Sequence, residues 1–561
     1  MSGTEAATLL HGATGLGIAY GSVALPMAAG MLRAGASVPR LLMAPLAAVP
    51  VTAAAAMGLG MASSLAGAFG MPVSGLAALG LGVGASVAAG YFSGKRLAGS
   101  ADGAAQFRRG AVVREEPEAT PVTVAGLSWK RELVQGLTRG LGRGLRGDRG
   151  SQLTLAGVPV AVQDETKHFK IIGTTGTGKS TALNEILQAS LRRGDRAIIA
   201  DPDGGYLRRF YDRARGDVIL NPFDPRSHRW DLFGEIEQPY DMEQLARSLI
   251  PDHGGSEHVW SAYARTFFTE VTGRAMSAGI RDAGELHQLL VVESAASLRK
   301  LLAGTPAQPF LEEDNSRMFG SIRAVTSSAV ASLKYVSQQR GEPLSVREWV
   351  RRGPRSRGVL FIPYQAGQIA ALRSQISAWM RLGIFEAMNR PEGDQRLWFV
   401  VDELDALGQI DGLKDALARL RKFGGRCALG FQSISQVSST YGDGDAHTIV
   451  ENCGNTLLLR ASASEGGGTA RFASGLIGER EVLRTNVSHT RRPLSVFGTR
   501  TVSRQVSTEA AVLPSQIEQL PDLVGYLKLA SRQEWQRVRL LHTAGPQATN
   551  DRMNHDAGRE I

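Results

Sequence analysis

Apolar positions along this chain follow two regimes. From Leu41 to Gly94 no charged residue interrupts the sequence. At about 20 residues per spanning helix, that run is long enough to cross a bilayer twice. Pro and Gly within Gly70–Gly75 predict the turn between the two spans. A further uncharged stretch, rich in Gly and Ala, runs from Ala6 to Leu32 with His11 as its one interruption. Beyond residue 150 the rhythm changes, and short apolar runs alternate with stretches of helical period. His168–Ile172, Arg196–Ala200, Gly358–Pro363, Leu397–Val401 and Arg426–Phe431 read as strands. Leu183, Ile186, Leu187 and Leu191 fall at helical spacing and stop at Gly194, and a second helix is predicted around Leu372–Met388. Strands alternating with helices predict an α/β fold built on a parallel sheet.

Charge refines the N-terminal picture. Arg33 and Arg40 precede the long apolar run and Lys95, Arg96, Arg108 and Arg109 follow it, while the tip near Pro72 carries none. Both flanks are therefore expected in the cytoplasm. Two spans with an interior N-terminus satisfy this, and so do three with an exterior one. The first residues lack the basic stretch of a cleaved signal peptide. Small residues (Gly58, Gly60, Ala62, Gly67, Gly80, Gly82, Gly84) suit close helix–helix contact in lipid. Residues 1–95 thus read as a membrane anchor and 96–150 as a basic linker. From Lys95 to Gly150 there are eleven Lys/Arg against six Asp/Glu, which can meet anionic lipid, meet nucleic-acid phosphates, or simply stay solvated. The whole chain carries a formal net charge of +10, which favours an anionic partner. Its two cysteines, Cys427 and Cys453, have no metal-like spacing and imply neither a disulfide framework nor a zinc site.

The candidate chemistry lies where strands end. After the strand at His168–Ile172 comes Gly173-Thr174-Thr175-Gly176-Thr177-Gly178-Lys179-Ser180, then Thr181 and a helix, a full match to G-x-x-x-x-G-K-[ST] in the context that motif needs. Glycines let backbone N–H groups wrap phosphates, and the helix N-terminus adds its positive end. Lys179 is expected to reach the β- and γ-phosphates of ATP, and the Ser180 hydroxyl to ligate Mg²⁺. The run Leu397–Val401 delivers Asp402 and Glu403 at its carboxyl end, where α/β sheets place their chemistry. Asp402 is expected to hold Mg²⁺ through water and Glu403 to orient or deprotonate the attacking water. Gln432, at the end of the Arg426–Phe431 strand, can sense the γ-phosphate. Arg419, Arg421 and Lys422 form either a solvated basic face or the source of an arginine finger for a neighbouring subunit. The strand Arg196–Ala200 ends in Asp201-Pro202-Asp203-Gly204, whose acids either top the sheet near the nucleotide or form a plain turn, and they are not placed in the site.

In combination these residues resemble the coupling proteins of type IV secretion and bacterial conjugation. The resemblance rests on the Gly173–Ser180 loop, Asp201–Gly204, Ile219–Asp224 with its Asn221-Pro222 pair, Trp398–Leu404, Gly430–Gln436 and Leu520–Leu523. It covers the chain from about Phe107 to about Leu541. It implies a RecA-like P-loop NTPase domain (151–239 and 341–545) with an inserted all-α domain (240–340), N-terminal transmembrane helices and a polar C-terminal tail (546–561). It also implies a homo-hexameric, DNA-dependent ATPase using ATP and Mg²⁺ at the bacterial inner membrane, with its motor domain cytoplasmic. Lys179, Asp402, Glu403, Gln432 and Arg421 take the catalytic roles, Arg421 acting on a neighbour's site. DNA bound without sequence preference, relaxase and relaxosome proteins, and components of the type IV secretion channel are the implied partners. Family members have two spanning helices, whereas this chain offers a third apolar segment. The alternative role for the same fold is a nucleotide-switched membrane receptor that recruits protein effectors. A septal chromosome translocase would need a longer linker and a C-terminal winged helix.

Overall fold

The computed structural model describes residues 20–33, 41–54, 75–97, 106–115, 152–252, 258–352, 357–393, 395–463, 468–490 and 499–541. They divide into two compact units, one of residues 1–109 with 480–509, the other of residues 110–479 with 510–561.

The first unit contains helices over 20–33, 41–54 and Gly75–Leu97. Val23, Met27 and Met31 from the first of these pack against Ala44 and Ala48 from the second. Glycine permits the contact with the third: a Cβ on Gly90 would lie 2.4 Å from the Val23 carbonyl oxygen, and one on Gly94 would strike Met27. Val23 thus meets Gly90 and Met27 meets Gly94, so these two helices run parallel, and Arg33 and Lys95 share an end. Among the described residues no helix is long and apolar enough to cross a membrane. The helix over 20–33 has 14 residues, about 21 Å at 1.5 Å per residue, and the second stretch is continuous only over 44–54, about 17 Å, against a core of about 30 Å. Residues 55–74, including the expected turn at Gly70–Gly75, lie outside the described residues. The unit also holds a three-stranded sheet in which Gln106–Gly110 pairs with the 12-residue strand Glu479–Thr490, which pairs in turn with the 12-residue strand Thr499–Ala510.

The second unit is organised by a ten-stranded sheet. Its strands in chain order are β1 (Val113–Arg114), β2 (Phe169–Ile172), β3 (Arg196–Pro202), β4 (Val218–Ile219), β5 (Val359–Tyr364), β6 (Leu397–Val401), β7 (Gly425–Phe431), β8 (Asn455–Leu458), β9 (Val524–Lys528) and β10 (Trp535–Arg539). The spatial order is β1-β10-β9-β8-β2-β7-β6-β3-β5-β4. From β8 to β4 every neighbour is parallel, and β8–β9 and β9–β10 are antiparallel. Central strands are buried on both faces, which is why β6 reads as an unbroken apolar run and β2 is broken only by Lys170. The two-residue period sorts their side chains. Ala197, Ile199, Trp398 and Val400 join Leu183, Ile186 and Leu187 of helix α1 (Lys179–Arg192) on one face. Ile198, Ala200, Phe399 and Val401 face the other way, onto Leu372 and Ile376 of the long helix Ile369–Met388.

Between β4 and β5 lie the helices Pro239–Leu249, His258–Ser277 and Ser316–Val330, together with shorter ones. Phe267, Phe268 and Val271 of one helix pack on Phe319 and Ile322 of another within the same core. Glu235 ties together the segments by which the chain enters and leaves this helical layer. Its buried carboxylate accepts hydrogen bonds from Trp230 Nε1 (2.9 Å), Ser345 Oγ (3.0 Å), Val346 N (2.7 Å) and Arg347 N (3.1 Å).

Candidate nucleotide site

Parallel strands end on one edge of a sheet, so β2, β3, β6 and β7 bring their following loops together. The loop after β2 is Gly173–Gly178. Gly176 and Gly178 sit at φ +78° and +118°, a region closed to most side chains. The turn is tied down by Thr177 Oγ1 donating to Thr174 O (2.7 Å) and Thr174 N donating to Arg460 O (2.9 Å). From outside it is braced by Leu523, whose N–H donates to Thr177 O at 2.9 Å. This explains the Leu520–Leu523 block, whose spacing alone gave no role. The loop opens directly into α1, so its N–H groups and the helix N-terminus converge on one spot.

Within the loop Lys179 is buried, and its Nζ donates to Gly173 O (2.8 Å) and Thr174 O (3.2 Å), the backbone that surrounds the phosphate position. Burial draws its pKa down, and the charges of Asp402, Glu403 and Asp405 oppose that shift. Ser180 Oγ donates to Asp402 Oδ2 at 2.7 Å. This pairing, 222 positions apart in sequence, is the one the motifs predict. Asp402 is 5% exposed, and its other oxygen, Oδ1, is buried without a partner. An orphaned carboxylate oxygen beside a serine hydroxyl fits a hard divalent cation such as Mg²⁺, so the residues present suit the group the motif implies.

Gln432 closes the ring. Its Nε2 donates to Glu403 Oε1 at 2.8 Å, while its Oε1 accepts from Thr175 Oγ1 at 3.0 Å. One amide thus links the phosphate loop to the second acid. Gly430 makes this approach feasible, since a Cβ there would lie 2.3 Å from the Asp402 carbonyl oxygen. Thr175, Gly176 and Ser180 are exposed and Thr181 is half-buried, all on the open side of the loop. Arg421 does not join this cluster. It is exposed on the turn Arg421–Phe423, just before β7 enters the sheet, whereas the phosphate loop leaves β2 at the opposite end.

One site residue, Tyr206, was missed by sequence reasoning. Tyr206, 3% exposed, donates its hydroxyl to Asp402 Oδ2 at 2.8 Å. Tyr364 at the end of β5 is 5% exposed and its hydroxyl has no partner. Tyr206 follows Asp201, which is fully buried, so the Asp201–Gly204 segment is more than a turn. Burial pushes the Asp201 carboxyl up to about 6, against the lowering effect of two backbone N–H bonds. The nearby signal was a strand ending in Asp-Pro-Asp-Gly-Gly-Tyr beside β6.

Residues 152–541 match the model of the type IV secretion-system coupling protein DNA-binding domain. The chain belongs to the type IV secretion coupling protein family. It is 29% identical over 416 residues to the coupling protein TraD of Escherichia coli K12, covering 73% of this chain and 58% of that protein's length. A shorter match, 30% over 141 residues, links it to the type IV secretion system-coupling protein VirD4 of Bartonella henselae. Among solved structures, the bacterial conjugative coupling protein TrwBdeltaN70 is 32% identical, covering 73% of this chain and 92% of that one with a TM-score of 0.63. The plasmid coupling protein TrwB is also known in complex with the ATP analogue ADPNP and with ADP and Mg²⁺, each 30% identical with a TM-score of 0.65. The fold is therefore the α/β, RecA-like one with an all-α domain, within an NTPase family.

Proposed function

We propose that this chain is an ATP-hydrolysing coupling protein of the bacterial inner membrane, which links a conjugative DNA–protein complex, the relaxosome, to a type IV secretion channel and pumps DNA through it. The observation that carries the reading is the closed ring Ser180–Asp402–Glu403–Gln432–Thr175, which joins phosphate loop, acid pair and sensor amide. A ring of that composition is built to register whether a γ-phosphate is present. The nucleotide and Mg²⁺ complexes of the plasmid coupling protein TrwB support the same ligands here.

In this reading Lys179 releases the Gly173 and Thr174 carbonyls and turns to the β- and γ-phosphates. Glycine-loop N–H groups and the α1 N-terminus bind the phosphate oxygens. Ser180 and Asp402 hold Mg²⁺, which when bound neutralises developing charge on the phosphates. Glu403 orients the attacking water and accepts its proton, and Gln432 keeps Glu403 turned toward the loop. Because Arg421 is remote from its own chain's loop, it can act only on a neighbour, which fits a homo-hexamer with shared sites. The residue 1–95 segment serves as the membrane anchor in this proposal. Within it the helix over 20–33 packs parallel to Gly75–Leu97, with Arg33 and Lys95 at one end.

The test is ATP hydrolysis by the full chain in detergent or nanodiscs, with and without DNA of unrelated sequences. A motor is expected to be stimulated by any of them and to lose stimulation steeply as salt rises, because phosphate contacts dominate. Hydrolysis indifferent to DNA would instead favour a nucleotide-switched receptor for protein effectors.

A further inference from the structure

The turn that follows β3 brings a tyrosine to the metal-side acid. Asp203 and Gly204 both take left-handed conformations, at φ +58° and +66°. Asp203 is held there by its N–H donating to Tyr364 O at 2.7 Å. Asp201, buried behind the turn, then accepts Tyr206 N–H at Oδ1 (3.0 Å) and Leu207 N–H at Oδ2 (2.7 Å). These contacts fix the start of helix α2 (Gly205–Phe210) and leave Tyr206 one place to go. Its ring enters the core face that carries Leu183 and Val400, and its hydroxyl reaches Asp402 Oδ2.

The consequence concerns how Asp402 is held. Tyr206 and Ser180 both donate to the same oxygen, Oδ2, at 2.8 and 2.7 Å, and Oδ1 receives nothing. Two donors on one oxygen fix the rotation of a carboxylate and leave the other oxygen free for a further partner. Packing does not require the hydroxyl, since phenylalanine would fill the same space. Tyr364 provides the internal contrast, a second buried tyrosine at the next strand end whose hydroxyl bonds to nothing.

We propose that Tyr206 is a positioning residue of the metal site, holding Asp402 by Oδ2 so that Oδ1 faces the hydration shell of the divalent cation that accompanies the nucleotide. The proposal rests on the nucleotide reading above and adds to it a residue outside the phosphate loop and acid pair. Partners that orient a metal's ligands typically change metal affinity by about 10- to 100-fold when lost.

The experiment titrates a fluorescent ADP into the full chain, once in EDTA and once across a Mg²⁺ series, for wild type, Tyr206→Phe and Tyr364→Phe, with melting temperatures recorded alongside. For Tyr206→Phe the expected result is unchanged affinity in EDTA and a Mg²⁺ midpoint raised by about tenfold, with the melting temperature lowered only as far as the loss of one buried hydrogen bond requires. Tyr364→Phe is expected to match wild type throughout. A Tyr206→Phe midpoint within about twofold of wild type, or an equal shift from Tyr364→Phe, would overturn the proposal. A melting-temperature loss without a Mg²⁺ shift would overturn it too, as a purely structural role. Wild-type protein that binds no ADP in either arm would sink the nucleotide reading itself, and is told apart by the wild-type curve alone.

Discussion

Replacing Gln432 separates its contribution to catalysis from any contribution to nucleotide binding. Its amide makes a charge-assisted hydrogen bond to Glu403 at 2.8 Å and accepts a neutral one from Thr175 at 3.0 Å. The first is worth about 1.5–3 kcal/mol and the second about 0.5–1.5 kcal/mol. Because the residue is only half-buried, the low end applies, roughly 2 kcal/mol together. If that energy serves the transition state, Gln432→Ala should lower kcat by roughly 30-fold while changing nucleotide Kd by less than about threefold. Gln432→Glu is expected to be worse, since it sets two carboxylates about 3 Å apart. Their repulsion is bounded by about 1.4 kcal/mol in bulk water and about 5.5 kcal/mol at an effective dielectric of about 20. The loss should ease as pH falls from about 8 to about 6, when one proton can be shared between the two groups. Steady-state phosphate release and fluorescent-ADP binding read both quantities. Wild-type kcat in Gln432→Ala, or a kcat loss matched by an equal loss of affinity, would refute the linking role.

Two further outcomes test the scaffold. Glu235→Ala orphans four donors on the segments that flank the helical layer, so a loss on the order of 4 kcal/mol or more is expected in urea unfolding; Glu235→Gln, which keeps one of the two acceptor oxygens, should lose less. His168 is buried with Nδ1 accepting from Cys427 N and Nε2 donating to Leu417 O, an arrangement that requires the neutral ring, and burial holds its pKa down to about 4. The unfolded chain therefore takes up this proton first as pH falls. Stability contributed by the neutral ring is fully present above about 6.5 and is lost toward about 4, a difference of about 3 kcal/mol at 1.36 kcal/mol per pH unit. Wild type minus His168→Gln, measured across that window by urea unfolding, should show the slope; a flat difference would contradict the burial argument.

The residues legible in the sequence were those whose chemistry is local. Gly173–Ser180 declared itself because loop, lysine and hydroxyl occur within eight positions and a strand and a helix flank them. Asp402 and Glu403 were legible because five apolar residues deliver them to the edge where that loop also emerges. Tyr206 was not, since its partner lies 196 positions away and nothing around it repeats. Lys170 was hidden for a similar reason. It sits inside an apolar strand and donates to the carbonyls of Val450 and Cys453 at the end of the helix Asp443–Asn452, a contact spanning about 280 positions. The paired strands Glu479–Thr490 and Thr499–Ala510 were missed because they are largely polar, so they carry no apolar alternation to count. For the N-terminal stretch, freedom from charge was legible, but pairing between helices was not. The Gly90 and Gly94 contacts depend on which residues of 20–33 meet them, and spacing alone does not say.

The central claim is that hydrolysis occurs at the phosphate loop and serves DNA movement. The most direct measurement compares ATP turnover by the wild-type chain and Lys179→Ala, each with and without DNA. Wild type should hydrolyse ATP and accelerate on any DNA, whereas Lys179→Ala, still folded by melting temperature, should lose turnover under both conditions. Full activity in Lys179→Ala would contradict the site, and wild-type turnover unmoved by DNA would contradict the motor.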